Sequence, residues 1–396
     1  HYRVEDGQLD LTLWQQWHNA QALDSRGTFN LRNVALANTA AAPQRVKFSH
    51  LGSAFLFTRT PEQWQLQLDR LQVAPHDRAA WPEGRVAARG LTRDGRTWVE
   101  ARAQHLEIDD LVGLLLIRAP STELLDALTA LRPRGVLRDL RLRLPPDAPA
   151  DWQLSAGFSH LGVNAWRRIP GIGNLSGHLA ATATQAQIQL DAADVPLDYT
   201  SLFREPQQVQ RLRGTVHWAG SADGWQLHGD GLDLDTPDFR SITRMQVRKS
   251  GANPLHLDLI TQLHEGDVSS TSRYLPTAIM APGLVSWLDH ALSAGRVEQA
   301  TALVSGPLQD FPFHDSRNGT FEVVALTHDT PLDYRPGWPA LQDVSARLEF
   351  HQNSLDIELL QGRIYASTIE RAHAHIASLH PVSPLQMQGR LAGPLK

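Results

Sequence analysis

The sequence lacks cysteine altogether among its 396 residues. This absence excludes disulfide bonds, thiolate nucleophiles and cysteine-ligated metal sites. It is compatible with an oxidising compartment, where a stray thiol is a liability. Long hydrophobic runs are also missing. The longest run near the middle of the chain, Leu111 to Ile117, has seven residues, against about 20 needed to span a bilayer. No signal peptide is visible either.

An excess of positive charge is a third absence. The formal net charge is -5, which argues against a dedicated nucleic-acid binder, because such proteins present a basic face. Hydrophobic residues make up 42% of the chain and charged residues 20%. This balance is enough to bury a core and is not typical of a disordered protein.

A repeated alternation of apolar and polar residues is the main feature that is present. Leu255, Leu257 and Leu259 alternate with His256 and Asp258. The same pattern recurs at residues 64–69, 355–359 and 385–390. Successive side chains of a strand point to opposite faces, so each run predicts a strand with one apolar and one polar face. Turn residues separate these runs every 8 to 12 residues or so, which is typical of an all-β protein.

The repetition predicts a mainly β fold: an elongated, curved antiparallel sheet of repeated hairpins that forms a hydrophobic groove. We expect residues 1–396 to be a fragment of one continuous repeating β-groove, because the chain opens almost directly into an alternating run and stops without a natural ending. Helices are predicted near 121–132, after a capping Ser121, and near 282–294, where Pro282 takes the first position. A short helical turn is expected over 197–203.

Several strand boundaries follow from the turn signals. Residues 45–50 and 53–58 are predicted as two strands, and so are residues 363–369 and 371–377. Two runs change face midway, between Leu68 and Leu71 and between Leu227 and Leu232. A one-residue shift of this kind indicates a β-bulge, and bulges bend a sheet.

The apolar partners of the alternating runs are the candidate functional residues. We expect them to line the concave side of the sheet as a lipid-binding groove. They are Leu66, Leu68, Ile188, Leu190, Val216, Trp218, Leu227, Leu257, Leu259, Leu348, Phe350, Leu355 and Ile357. The alternation leaves a second interpretation open, a structural or adhesive β-repeat protein in which two packed sheets seal the same face as a dry core.

No motif indicates catalysis, a cofactor or a metal. His373 and His375 share one face of a strand, but no third ligand has a suitable spacing, and two solvated histidines explain them. His264 and Glu265 lack the second histidine of a zinc protease motif, and no G-x-S-x-G elbow occurs. Residues 171–176 superficially resemble a phosphate-binding glycine loop, for which we expect a flexible turn instead. An enzyme is therefore the third hypothesis, behind the groove and the sealed repeat.

Arginines concentrate between residues 132 and 143. Arg141 and Arg143 alternate with leucines and should point outward, as a solvated rim. Contact with anionic lipid headgroups is the sharper alternative for this stretch.

Several segments resemble the YhdP family of AsmA-like proteins, relatives of TamB. Residues 170–177 read PGIGNLSG and residues 202–206 read LFREP, followed by LRGTV at 212–216. The strongest similarity lies in 282–350, with PGLVSWL at 282–288, GPLQDFPF at 306–313 and LDYRPGWP at 332–339.

The resemblance implies a large protein that is anchored in the inner membrane of a Gram-negative bacterium. Its periplasmic body would be a β-groove that carries phospholipid toward the outer membrane. The family offers no catalytic residues that match positions of this chain. The resemblance therefore implies phospholipid as the partner, no nucleic acid and no cofactor.

Overall fold

The computed structural model describes residues 2–18, 21–38, 45–117, 121–146, 151–167, 169–278, 280–311, 313, 317–335, 337–379 and 383–394. The chain divides into two compact units, His1–Leu190 and Asp191–Lys396. Strands account for 68% of the structure.

The first unit is an antiparallel meander. Its strands are β1 (Tyr2–His18), β2 (Gln21–Asn38), β3 (Arg45–Arg59), β4 (Gln63–Pro75), β5 (Gly84–Arg93), β6 (Arg96–Glu107), β7 (Arg134–Leu144), β8 (Gln153–Val163) and β9 (Gly171–Thr182). Each of these strands pairs antiparallel with the next one along the chain. Strand β10 (Gln185–Asp198) begins in this unit and ends in the second.

The second unit repeats the same plan. Its strands are β11 (Gln207–Ser221), β12 (Gly224–Asp235), β13 (Arg240–Ser250), β14 (His256–Asp267), β15 (Arg296–Pro307), β16 (Thr320–Leu332), β17 (Leu341–His351), β18 (Ser354–Ile364), β19 (Ser367–Ile376) and β20 (Gln386–Ala392). Again every strand pairs antiparallel with its successor. The predicted fold class, a curved antiparallel sheet of hairpins, is therefore confirmed in each unit.

The described residues include four short α-helices, each at the strand ends of its own unit. Helices α1 (Ile108–Ile117) and α2 (Thr122–Leu131) connect β6 to β7, while α3 (Thr271–Tyr274) and α4 (Pro282–Ala291) connect β14 to β15. We call these strand ends the helix end of each unit. The opposite strand ends, where turns such as 60–62 and 352–353 join an odd strand to the next even one, are the hairpin end. None of the helices in the described part of the chain has the length and apolar content to cross a bilayer.

Both predicted helices are confirmed. The Ser121 hydroxyl accepts a hydrogen bond from the Leu124 N–H, 3.5 Å away, and so caps α2. Pro282 stands at the start of α4, as predicted, and Leu284 and Leu288 are buried. Helix α4 ends at Ala291, three residues before the predicted position 294.

Helix α1 was missed by the sequence analysis. Its apolar run, Leu111 to Ile117, has no periodicity that separates a helix from a buried strand. Packing on the neighbouring strands decides for a helix, and Asp109 and Asp110 stabilise it from the first turn, where negative charge is favourable. The helix contacts β2, β3, β6 and β7, and Ile117 is buried against them.

Three further expectations are wrong in detail. Residues 45–50 and 53–58 form one strand, β3, which continues through Gly52. Residues 363–369 and 371–377 are not two strands, because β18 runs to Ile364 and β19 is one strand from Ser367 to Ile376. The glycine-rich residues 171–176 belong to β9 rather than to a flexible turn. The helical turn expected over 197–203 is present after β10, since the Phe203 N–H donates to the Tyr199 carbonyl oxygen, 2.9 Å away.

Both predicted bulges are confirmed. The β3–β4 register shifts between Gly52 and Ala54, and the bulged Arg70 has φ 53°. The Ser53 hydroxyl donates to the Asp69 carbonyl oxygen, 3.0 Å away, beside this bulge. The β12–β13 register shifts after Gly229, where Gly231 has φ 64°. A left-handed residue inside a strand is what a bulge requires, and it keeps the apolar residues of both halves on one face.

The dry core lies at the helix end of each unit. In the first unit Phe48, Val73 and Ile117 are at most 6% exposed. In the second unit one buried cluster comprises Leu341, Val344, Ala346, Leu359 and Ile369. Past the bulges, the strands that carry these residues therefore end in a sealed hydrophobic layer.

Candidate functional site

Register aligns the candidate residues of the second unit into continuous apolar rows. Trp218 lies opposite Leu227, and Leu227 lies opposite Val247, which in turn faces Leu257. A second row lies beside the first, two residues away on each strand. It comprises Val216, Gly229, Met245, Leu259, Val304 and Phe321. Facing pairs in a sheet bring side chains within contact distance, so these rows form one apolar surface, here called the apolar face.

The apolar face continues to the last strands. Phe350 on β17 lies opposite Leu355 on β18, and Leu348 lies opposite Ile357. Leu355 in turn faces Ile376 on β19. Ile357 faces Ala374, which faces Met387 on β20. The structure thus brings together all nine candidate residues that lie in the second unit.

The first unit has the same arrangement. One row comprises Leu13, Gly27, Phe55, Leu68, Val86, Ala103 and Leu140, and a second comprises Phe57, Leu66, Ala88, Ala101, Leu142, Leu154 and Ala181. Leu66 and Leu68 are therefore neighbours of phenylalanines on one side and small residues on the other. Ile188 and Leu190 are half-buried on β10.

Exposure divides the candidate residues into two groups. Leu355 is buried, with only 1% of its surface exposed. The other twelve are half-buried: neighbouring side chains cover their flanks while part of each remains in contact with solvent. A sealed two-sheet core would bury such side chains almost completely. Toward the edge strand β1 the apolar face is more open still, and Leu9 and Leu11 are more than half exposed.

The opposite face of the same strands is polar and carries cross-strand ion pairs. In the first unit the Arg89 guanidinium lies 2.6 Å from the Glu100 carboxylate. In the second unit Asp258 accepts hydrogen bonds from Arg248, at 2.7 Å, and from the Ser305 hydroxyl, at 2.6 Å. Along each of these strands, the charged residues alternate with residues of the apolar rows. The two faces are therefore chemically distinct.

Two motifs from the sequence lie on this polar face. His373 and His375 both approach Asp356 Oδ1, at 3.2 and 2.9 Å. In the described ranges, no cluster of three or more potential ligands is arranged to hold a metal ion. Arg141 and Arg143 are exposed, as predicted. The Arg143 guanidinium lies 5.4 Å from the centre of the Trp98 ring.

A cavity of about 700 Å³ opens beside the apolar face of the second unit. Three segments line it. Helix α4 contributes Gly283, Leu284 and Trp287, the stretch after β16 contributes Tyr334, Arg335 and Trp338, and the β19–β20 hairpin contributes Ile376, Leu379, Ser383, Leu385 and Met387. The Trp287 indole N–H donates to the Tyr334 carbonyl oxygen, 3.1 Å away, and so ties the first two segments together. The cavity thus receives walls from both ends of the strands.

Sequence reasoning missed this cavity. Trp287, Tyr334 and Trp338 were noted only as parts of family-like segments, and Leu385 and Met387 only as members of an alternating run. Their aromatic and apolar character was a signal, but no spacing in the sequence indicates that the segments meet.

Charged side chains hold the helix end of the second unit. Asp238 accepts hydrogen bonds from the Ser270 and Tyr274 hydroxyls, each at 2.8 Å, and lies 3.1 Å from the Arg273 guanidinium. Burial alone would raise the pKa of Asp238, but these hydrogen bonds and the arginine charge lower it below its ordinary value. Burial also raises the pKa of Tyr274 to about 12.

A second carboxylate holds the helix end of the first unit. Asp110 on α1 is 2% exposed, accepts a hydrogen bond from the Trp81 indole at 2.7 Å and contacts the Arg78 guanidinium. Here burial outweighs the two partners and raises the pKa of Asp110. The pKa of Asp238 is therefore lowered, whereas the pKa of Asp110 is raised.

Comparison with known proteins agrees with this architecture. The family model for the YhdP protein matches residues 2–396. The chain is similar to the intermembrane phospholipid transporter YhdP of Escherichia coli (strain K12), with 25% identity over 307 residues. That match covers 75% of this chain and 24% of the relative, so the chain spans about a quarter of the relative's length. No solved structure matches the chain significantly.

Proposed function

This chain belongs to the YhdP family, and on that premise we propose that it forms part of a conduit for phospholipid. Acyl chains would move along the apolar face, and headgroups would stay at its wet margin. The relative's name describes an intermembrane phospholipid transporter, which supports this assignment. We place the conduit in the periplasm, as part of a parent protein that is anchored in the inner membrane.

The partly exposed apolar face is the observation that carries the proposal. Leu257 and Leu259 lie in continuous apolar rows, yet they are only half-buried. A monomeric soluble protein rarely leaves a large contiguous apolar surface in contact with water unless that surface binds something. A row of equivalent, weakly attractive side chains suits a ligand that slides.

The energetics of lipid transfer explain why such a face is needed. Exposing an acyl chain to water costs about 0.8 kcal/mol for each CH₂ group. A continuous apolar surface removes most of that cost at every step of the path. A catalytic pocket would instead need a few converging polar groups, and the proposal assigns no enzymatic role to this chain. The twelve half-buried candidate residues are proposed as contacts for acyl chains, the buried Leu355 as a packing residue beneath them, and 1–396 as one stretch of a continuous groove.

A sealed core remains the second candidate for part of this surface. The cluster around Val344 and Leu359 at the helix end is dry, and Leu355 on the apolar face is equally buried. The structural role therefore belongs to the helix end, and the conduit role to the half-buried rows.

Photo-crosslinking tests the proposal with a matched pair of positions. Leu259 lies on the apolar face, whereas Ile260 is 39% exposed on the opposite face of the same strand. A photo-crosslinking residue placed at each position should capture phospholipid from vesicles only at Leu259. Equal capture at both positions, or none at either, would contradict the conduit.

A further inference from the structure

The cavity beside α4 differs from the rest of the apolar face because three separate segments wall it, although it stays partly open to solvent. Its volume of about 700 Å³ falls within the range of pockets that hold a small ligand, roughly 300 to 1,000 Å³. Its walls are mainly apolar and aromatic, with Trp287 and Trp338 on one side and Met387 on the other. A sliding path needs no such pocket, so the cavity calls for a ligand that pauses there.

Arg335 is the one cationic side chain among the described residues that line this mainly apolar cavity. Arg335 is exposed, and its guanidinium lies 5.4 Å from the centre of the Trp338 ring. Ring stacking holds a guanidinium in place without using its hydrogen-bond donors. Within the described part of the chain, Arg335 has no carboxylate partner. Its five N–H donors are therefore available to an anion, and phosphate is the anion that arginine matches best.

The cavity also connects with the rows of candidate residues. Ile376, in its wall, lies opposite Leu355, and Met387 lies opposite Ala374, which faces Ile357. A ligand on the apolar face would thus reach the cavity without crossing a polar strip. Leu385 and Met387 are 44% and 59% exposed, so this wall keeps free apolar surface for a ligand.

We propose that this cavity is a resting site for one phospholipid, with acyl chain among the aromatic walls and the headgroup phosphate on Arg335. The inference rests on the proposed function and adds a defined stopping point to it. A single cation beside an apolar pocket fits an amphiphile with one anionic head, whereas an acidic peptide would require several cations.

The test uses the whole chain with a photo-crosslinking residue at Met387, and a control at Gln388 on the opposite face of β20. Vesicles of phosphatidylethanolamine and phosphatidylglycerol supply the probe. We expect capture at Met387 and not at Gln388. Arg335→Ala should lower capture at Met387 about tenfold, the size of one charge-assisted hydrogen bond. Arg335→Lys, which keeps the charge, should recover part of it.

Arg296→Ala is the matched control, since Arg296 is an exposed arginine on β15 outside the cavity lining. It should leave capture at Met387 unchanged. Thermal melts of all variants establish that they are folded. Equal loss in Arg296→Ala, or no loss in Arg335→Ala, would overturn the assignment of the phosphate to Arg335.

Two further probes separate a lipid headgroup from free phosphate. Diacylglycerol with the same acyl chains should be captured less, and its capture should not depend on Arg335. Inorganic phosphate at millimolar concentration should not displace phospholipid. Displacement would show an anion site without lipid specificity and would overturn the proposal. Capture at Leu259 in the same samples reports on the conduit itself, so failure at Met387 alone leaves the proposed function standing.

Discussion

Replacing Leu257 with aspartate separates an open face from a sealed one. Leu257 is half-buried, between Val247 and Gly306 on the neighbouring strands. Full burial of a leucine contributes about 1.5 to 3 kcal/mol, so removing this side chain costs roughly half of that. The low strand propensity of aspartate adds up to about 1 kcal/mol. We expect Leu257→Asp to lower stability by about 1 to 2 kcal/mol and Tm by about 2 to 8 °C for a unit of this size.

The same substitution at Leu355 provides the contrast. Leu355 is 1% exposed on the same face, so a carboxylate there would be buried without a partner. Such a change costs about 4 kcal/mol or more. We therefore expect Leu355→Asp to collapse the thermal melt of the second unit while Leu257→Asp leaves it nearly intact.

Lipid capture gives the second readout for Leu257→Asp. Desolvating the new carboxylate beside an acyl chain costs several kcal/mol, which corresponds to a loss of at least about a hundredfold. Crosslinking from a probe at Leu259 should fall accordingly. If Leu257→Asp unfolds as readily as Leu355→Asp, the face is a sealed core. If it folds and crosslinking is unchanged, lipid does not pass over this face.

Further substitutions test the buried carboxylates Asp238 and Asp110 and the bulges at Arg70 and Gly231. Asp238→Asn should cost about 2 to 3 kcal/mol at pH 7. It should also remove the share of the wild-type stability loss below about pH 4 that comes from Asp238, because a lowered folded pKa stabilises only above the unfolded value. Asp110→Asn should cost less stability at pH 7, because the pKa of Asp110 is raised and its stabilising contribution is lost as the pH rises through that folded-state pKa. Thermal melts of both variants across pH 3 to 8 test this difference. Equal dependence of Tm on pH in the two variants would contradict it. Arg70→Gly should raise the stability of the first unit by up to about 1 to 2 kcal/mol, because it relieves a left-handed residue. In the same denaturant titration, Arg89→Gly in the middle of β5 should lower the stability of that unit. Gly231→Ala should lower the stability of the second unit by about 1 to 2 kcal/mol.

The strands and their faces could be read from local pattern. Leu257 and Leu259 lie on one face because alternation is a property of the extended backbone itself. The bulges at Arg70 and Gly231 were equally visible, since each changes the parity of the pattern. Helix α1 was not visible, because an unbroken apolar run satisfies a helix and a strand equally well, and only packing on β2, β3 and β7 decides between them.

The alternating pattern assigns every residue of a strand to one face or the other, and hence predicts an apolar face. What covers that face depends on how the strands and helices pack. Leu355 and Leu257 have the same local pattern, yet one is dry and the other is partly open. The cavity likewise depends on Trp287, Tyr334 and Met387 coming from three separate segments. Alternation fixes the direction of a side chain relative to its own backbone, whereas burial depends on residues that are distant in the chain and brought near only by folding.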